Sequence, residues 1–203
     1  SLEIGDIGFF KELMNQLNVD DDEKETIRNL IETKNYPALN DVLDAIGDTN
    51  VTRALKMLPR LFGGEEVFEK AAKLFSDERT DAVLANLKEL FKDIEKLGCK
   101  GKITVDLGMV NKTDYYTGVI LKGYMEGYGE PVISGGRYDK LIAEFGYDVP
   151  ATGFAVNVDA VAKIRLRNEK PVMRKADAIV FAEKGSVLLV FPSPPSLQGF
   201  GIA

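Results

Sequence analysis

The feature that most constrains this chain is a single change of period near Gly98. Before it, apolar residues return every three or four positions; after it they fall in short β-branched and aromatic runs. Phe9, Phe10, Leu13, Met14 and Leu17 open the helical series. Asp20, Asp21 and Asp22 put carboxylates where the first turn of a second helix favours them, and Ile27, Leu30 and Ile31 form its apolar side. Pro37 suits the first turn of a third helix carrying Leu39, Val42, Leu43 and Ile46, with Gly47 as its stop. A fourth is expected near 51–61, and Gly63-Gly64 separates it from a fifth that bears Val67, Phe68, Ala71, Leu74 and Phe75. The longest stripe is Val83, Leu84, Leu87, Leu90, Phe91, Ile94 and Leu97, in a helix over 81–97 that Gly98 closes as a left-handed cap.

Past Gly98 the pattern predicts strands over 103–107, 116–125, 131–134 and 152–156. Tyr138, Leu141, Ile142 and Phe145 have helical spacing, so a short helix is expected over 137–145 with Gly146 at its end. Asn157 suits the cap of a further helix reaching about Arg165. Residues 178–181 and 187–191 read as a hairpin, which Pro192, Pro194 and Pro195 then stop. Helices followed by strands predict an α+β fold with a mostly antiparallel sheet.

Composition removes several kinds of chemistry. The 203 residues hold no histidine, so the commonest general base and metal ligand are both missing, and no metal site is expected. One cysteine, Cys99, excludes an internal disulfide and a cysteine-rich zinc site, and makes a reducing cytoplasm the expected compartment. A net charge of −6 argues against a nucleic-acid partner, and no stretch is apolar enough for a membrane span.

Three short motifs remain as candidates for a site. Asp114-Tyr115-Tyr116-Thr117-Gly118 starts a predicted strand, where alternation sends the two tyrosines to opposite faces and puts Asp114 beside Tyr116. A carboxylate next to a phenol suits a ligand's ammonium and a ring nitrogen or carbonyl. Burial as core aromatics explains the tyrosines equally well. Ser134-Gly135-Gly136-Arg137-Tyr138-Asp139 reads as a strand running into a helix, with glycines that admit a close backbone approach and free N–H groups suited to a carboxylate. A tight turn without a ligand is the plain alternative. Gly153 sits inside a strand, which marks either a close neighbour or a bulge.

In this order and spacing, DLGMVNKTDYYTG, SGGRYDKLIAEFG and PATGFAVNVDAV resemble the core of class II histidyl-tRNA synthetases over 105–166. The resemblance implies that Tyr115, Tyr116, Tyr138, Gly135, Gly136 and Gly153 hold free histidine, with Asp114 orienting them or receiving the ammonium. It also exposes two departures. Asn111 stands where the family's first activating arginine is expected, and Ala160 where the second is. Lys112, one residue along, faces the other side of a strand and lacks the planar fork. Losing one preorganised donor to a transition state costs about 10²–10³ in rate, so losing two argues against an enzyme.

A kept pocket without the ATP apparatus resembles the regulatory subunits of short-form ATP phosphoribosyltransferase, as does the opening LEIGDIGFFK. That resemblance implies a non-catalytic role in histidine biosynthesis without cofactor. It further implies allosteric histidine feedback and a hetero-oligomer with the separate catalytic subunit. It divides the chain into a helical insertion over 1–99, a synthetase-like core fragment over 100–170 and a strand-containing segment over 171–203, the C-terminal part of a longer protein. A divergent histidyl-tRNA synthetase and an interaction module without a ligand are the other two readings.

Overall fold

The computed structural model describes residues 1–110, 115–168, 178–181 and 189–192. Its contacts fall into two compact units, Ser1–Ala162 and Lys163–Ala203.

In the first unit, β1 (Leu2–Asp6) leads directly into α1 (Ile7–Asn15), and Asp6 makes the transition by accepting the Gly8 N–H at 2.8 Å. The helical layer continues through α2 (Asp21–Glu32), α3 (Tyr36–Ile46), α4 (Asn50–Met57), α5 (Glu66–Leu74) and α6 (Glu78–Ile94). Capping boxes at Asp20, Thr49 and Asp77 satisfy N–H groups at three of these starts. Helix α6 runs on through a π-helical turn, Glu95–Cys99, in which Gly98 takes the left-handed φ of 91° that its expected role as a stop requires. Phe9, Leu13, Ile27, Leu39, Leu43, Leu55 and Leu87 are fully buried in one core between these helices and the sheet.

That sheet has six strands in the order β2-β3-β1-β4-β5-β6, from β2 (Phe62–Gly63), β3 (Ile103–Asp106), β4 (Val119–Gly123), β5 (Ile133–Arg137) and β6 (Thr152–Val156). Strand β1 pairs parallel with β3, Leu2 opposite Ile103, and antiparallel with β4, Glu3 opposite Lys122. The remaining pairs are antiparallel. Helices against a mixed sheet bear out the α+β expectation.

One local expectation changes, and one element goes unanticipated. Residues 2–6 form a strand inside the sheet, where Ile4 is buried by its neighbours. The helix expected over 137–145 shrinks to a 3₁₀ turn, Ile142–Phe145, because Arg137 continues β5 by pairing with Thr152. Gly146 does close that turn with a left-handed φ of 92°.

Asn157 caps α7 (Val158–Asn168) as expected, accepting the Ala160 N–H at 3.0 Å. In the second unit β7 (Ala178–Phe181) and β8 (Leu189–Pro192) form the expected antiparallel hairpin, with Phe181 opposite Leu189. The turn expected at 183–186 lies outside the described residues.

Candidate functional site

The tyrosines of the three motifs meet at one end of the sheet. Tyr116 is 7% exposed and packs with Ile7, Met109 and Ile120, while Tyr138 covers it from the side. The Tyr115 and Tyr116 ring centroids are 4.3 Å apart at 46°, and Tyr138 meets Tyr115 edge-on at 6.1 Å. The tyrosine pair precedes β4 rather than lying in a strand, so alternation does not separate the two rings. Tyr115 remains 38% exposed at the outer side of the cluster.

Each motif glycine makes room for a neighbour within the fold. Gly135 and Gly136 lie inside β5, flanked by β4 and β6, so their backbone groups serve the sheet and do not open a helix for a carboxylate. A Cβ on Gly136 would sit 2.8 Å from the Tyr116 ring and 2.5 Å from the Val119 carbonyl. One on Gly135 would meet the Gly153 carbonyl and lie 2.6 Å from Phe154 Cα. Gly153 is occupied from above by Tyr138, whose hydroxyl lies 2.7 Å from where a Cβ would stand. Asp114 and Asn111 lie outside the described residues. Ala160 is 1% exposed in the first turn of α7.

Sequence reasoning missed the polar frame that fixes this cluster. Lys11 donates to the Tyr116 carbonyl at 2.9 Å, and the Gly118 carbonyl accepts the Ile7 N–H at 3.1 Å. Thr117 takes the Asp139 N–H at 3.0 Å while its own N–H reaches the Arg137 carbonyl at 2.9 Å. Arg137 Nε donates to both oxygens of Asp139, at 2.8 and 3.0 Å, which holds that carboxyl below the usual carboxylate range. Burial pushes the Asp6 carboxyl up, against the Gly8 N–H and the nearby Arg137 and Lys11 charges. Burial, followed by the neighbouring Tyr115 hydroxyl, pushes the Tyr116 phenol up to about 12, so it stays a neutral donor at physiological pH. Asp6, which caps α1 and lies close to Gly118 just after the tyrosines, has no short-range signature.

Among the described residues the arrangement offers hydroxyls, aromatic faces and the carboxylates of Asp6 and Asp139. Among the described residues no group of three or more Asp, Glu, Cys or His could hold a metal ion. Nor is any described helix long and apolar enough to cross a membrane.

Comparison with known proteins places this geometry. The profile of the family described as Histidyl-tRNA synthetase matches residues 1–161. An ATP phosphoribosyltransferase regulatory subunit of Clostridium kluyveri is 44% identical over 165 residues, covering 80% of this chain and 42% of that protein. The chain thus spans about two-fifths of the length of that relative. The crystal structure of an ATP phosphoribosyltransferase regulatory subunit/histidyl-tRNA synthetase from Bacillus halodurans superimposes with a TM-score of 0.74 at 30% identity, over 80% of this chain and 43% of that one. An ATP phosphoribosyl transferase (HisG:HisZ) complex from Thermotoga maritima shares the fold, with a TM-score of 0.59 at 18% identity, over 76% of this chain and 52% of that one. The class II synthetase-like fold implied by the motifs is therefore the fold observed. The chain belongs to the histidyl-tRNA synthetase family, and curated relatives within it are ATP phosphoribosyltransferase regulatory subunits.

Proposed function

We propose that this chain is the synthetase-like part of a non-catalytic regulatory subunit of ATP phosphoribosyltransferase, acting in the cytoplasm on a separate catalytic subunit. The observation that carries the reading is a tyrosine motif kept together with Asn111 and Ala160 at the two expected arginine positions, in a chain 44% identical to such a subunit. The family's activation step needs positive charge on phosphates at both positions, and neither residue supplies it. In the solved relative whose description names a complex, a subunit of this fold stands with ATP phosphoribosyl transferase, which supports a hetero-oligomer here.

Free histidine is the proposed signal. Tyr115 presents an exposed ring and hydroxyl beside the buried Tyr116, with Tyr138 edge-on, and Asp114 belongs to the same motif. Gly136 and Gly153 contribute by leaving room for the Tyr116 ring and the Tyr138 hydroxyl rather than by touching the ligand themselves. In this reading α2 to α6 form the helical insertion, residues 100–170 the synthetase-like core together with β1, and 171–203 a short appended segment. Histidine shifts activity only if it binds one assembly state more tightly than another.

The test is to add the full-length protein to the short-form catalytic subunit and measure phosphoribosyl transfer with and without histidine. Activation that histidine reverses, and that Tyr115→Ala desensitises, is the expected outcome. Unchanged activity would remove the regulatory reading, and histidine-dependent ATP–pyrophosphate exchange would replace it with a divergent synthetase.

A further inference from the structure

A cavity of about 410 Å³ opens where strands β1, β3 and β4 meet the turn between α2 and α3. Its floor is built by Glu3 on β1, Lys122 opposite it on β4, and Asp106 at the end of β3. Tyr124 donates its hydroxyl to Glu3 Oε2 at 2.9 Å, which fixes one carboxylate. The Gly108 N–H donates to Asp106 Oδ1 at 2.9 Å, which fixes the other. Burial, with a smaller push from the Glu3 charge, raises the Asp106 carboxyl against the Gly108 N–H and the Lys34 and Lys122 charges.

The rim has the opposite character. Lys34 projects from a left-handed backbone position, φ 57°, between α2 and α3. Together with Lys122 it lies close enough to act on the Asp106 charge, yet neither lysine is in an ion pair within 4 Å among the described residues. Tyr36 and Phe62 stand at the same mouth, 36% and 50% exposed.

Charge and shape together select a class of ligand. A simple anion would meet Glu3 and Asp106, and a simple cation would meet the lysines. A molecule carrying an ammonium and a carboxylate a few atoms apart satisfies both sets, and a flat side chain covers the exposed rings. We infer that this cavity binds a small zwitterion of the aromatic α-amino-acid class, its ammonium on Glu3 and Asp106, its carboxylate on Lys122 and Lys34, and its ring against Tyr36 and Phe62. The site adjoins the tyrosine cluster through Met109 but shares with it none of the residues named for the ligand, and it stands without the histidine reading.

The experiment is a calorimetric titration of the full chain with L-phenylalanine, repeated with phenethylamine and 3-phenylpropionate, which each lack one of the two charges. Binding at about 1 mM or tighter is expected, weakened at least about tenfold in Glu3→Gln, Lys122→Met and Lys34→Met and for both single-charge compounds. Lys34 is exposed, so its variant keeps the test valid even where a floor substitution disturbs folding. No binding up to about 10 mM would overturn the inference, as would a single-charge compound that binds equally well. So would binding that Tyr115→Ala abolishes and the cavity variants leave unchanged, because the probe would then sit at the tyrosines. Catalytic-subunit activity is not read here, so failure of this inference is distinguishable from failure of the regulatory one.

Discussion

The tyrosine cluster and the Glu3–Asp106 cavity share strand β4 and differ in what fills them. Ile120, which packs on Tyr116, and Lys122, which floors the cavity, lie two residues apart and face the same way. At one end of that face the fold fills its own space: Gly136 and Gly153 are overlaid by Tyr116 and Tyr138. At the other end, charged side chains surround space that remains open. A motif glycine that reads as room for a ligand can therefore be room for a neighbouring side chain, and only assembly of the sheet shows which.

The contrast can be broken in four ways. The largest effect is expected from Gly136→Ala, which drives a methyl into the Tyr116 ring and the Val119 carbonyl; a loss of about 3 kcal/mol in urea unfolding is the expected result. A loss below about 1 kcal/mol would show that the cluster has spare room after all. Next, Tyr116→Ala should cost about 3 kcal/mol and Tyr115→Ala under about 1, since one ring is buried and the other is at the rim. Equal losses from the two would erase the distinction between an inner and an outer tyrosine.

A pH series sharpens the comparison further. Tyr116 and Tyr124 both titrate at about 12 in the folded chain against an ordinary 10.0, so the folded state holds their protons longer than the unfolded state does. Their contribution is fully present below pH 10 and is lost as pH rises through about 12. Thermal unfolding should thus fall more steeply above pH 10 than in Tyr116→Phe, and matching curves would sink the assignment. The smallest effect is expected from Glu3→Gln. Stability should change by less than about 1 kcal/mol, while Tyr124, relieved of the Glu3 charge, ionises at lower pH in a phenolate absorbance titration. An unmoved Tyr124 titration would mean that Glu3 does not set the polarity of the cavity floor.

Local pattern carried much of the architecture. The stripe from Val83 to Ile94, the Asn157 cap and the hairpin at Ala178 were all readable because each depends on residues within a few positions of one another, whereas Leu97, read as the end of the stripe, lies exposed in the π-helical turn. Strand β1 was not readable. Five residues containing Gly5 and two carboxylates carry no strand pattern of their own, and partners from two distant segments impose the conformation. Gly135-Gly136 was legible as a special place but was assigned to a helix start, since nothing nearby shows that Arg137 pairs with Thr152. The cavity draws on residues 3, 34, 36, 62, 106 and 122, a set with no spacing to recognise.

The parallel pairing of β1 with β3 also sets an order of events. Leu2 meets Ile103 only after the whole helical layer between them has been made, and Glu3 meets Lys122 later still. An inner strand of the sheet is therefore made before either of its neighbours and gains both only late, a topology that folds slowly for its size. Until then its unpaired backbone is open to other chains. The α1 to α6 layer, whose contacts are mostly local, can shelter it in the meantime, so a substitution that slows those helices should reduce soluble yield more than it reduces final stability.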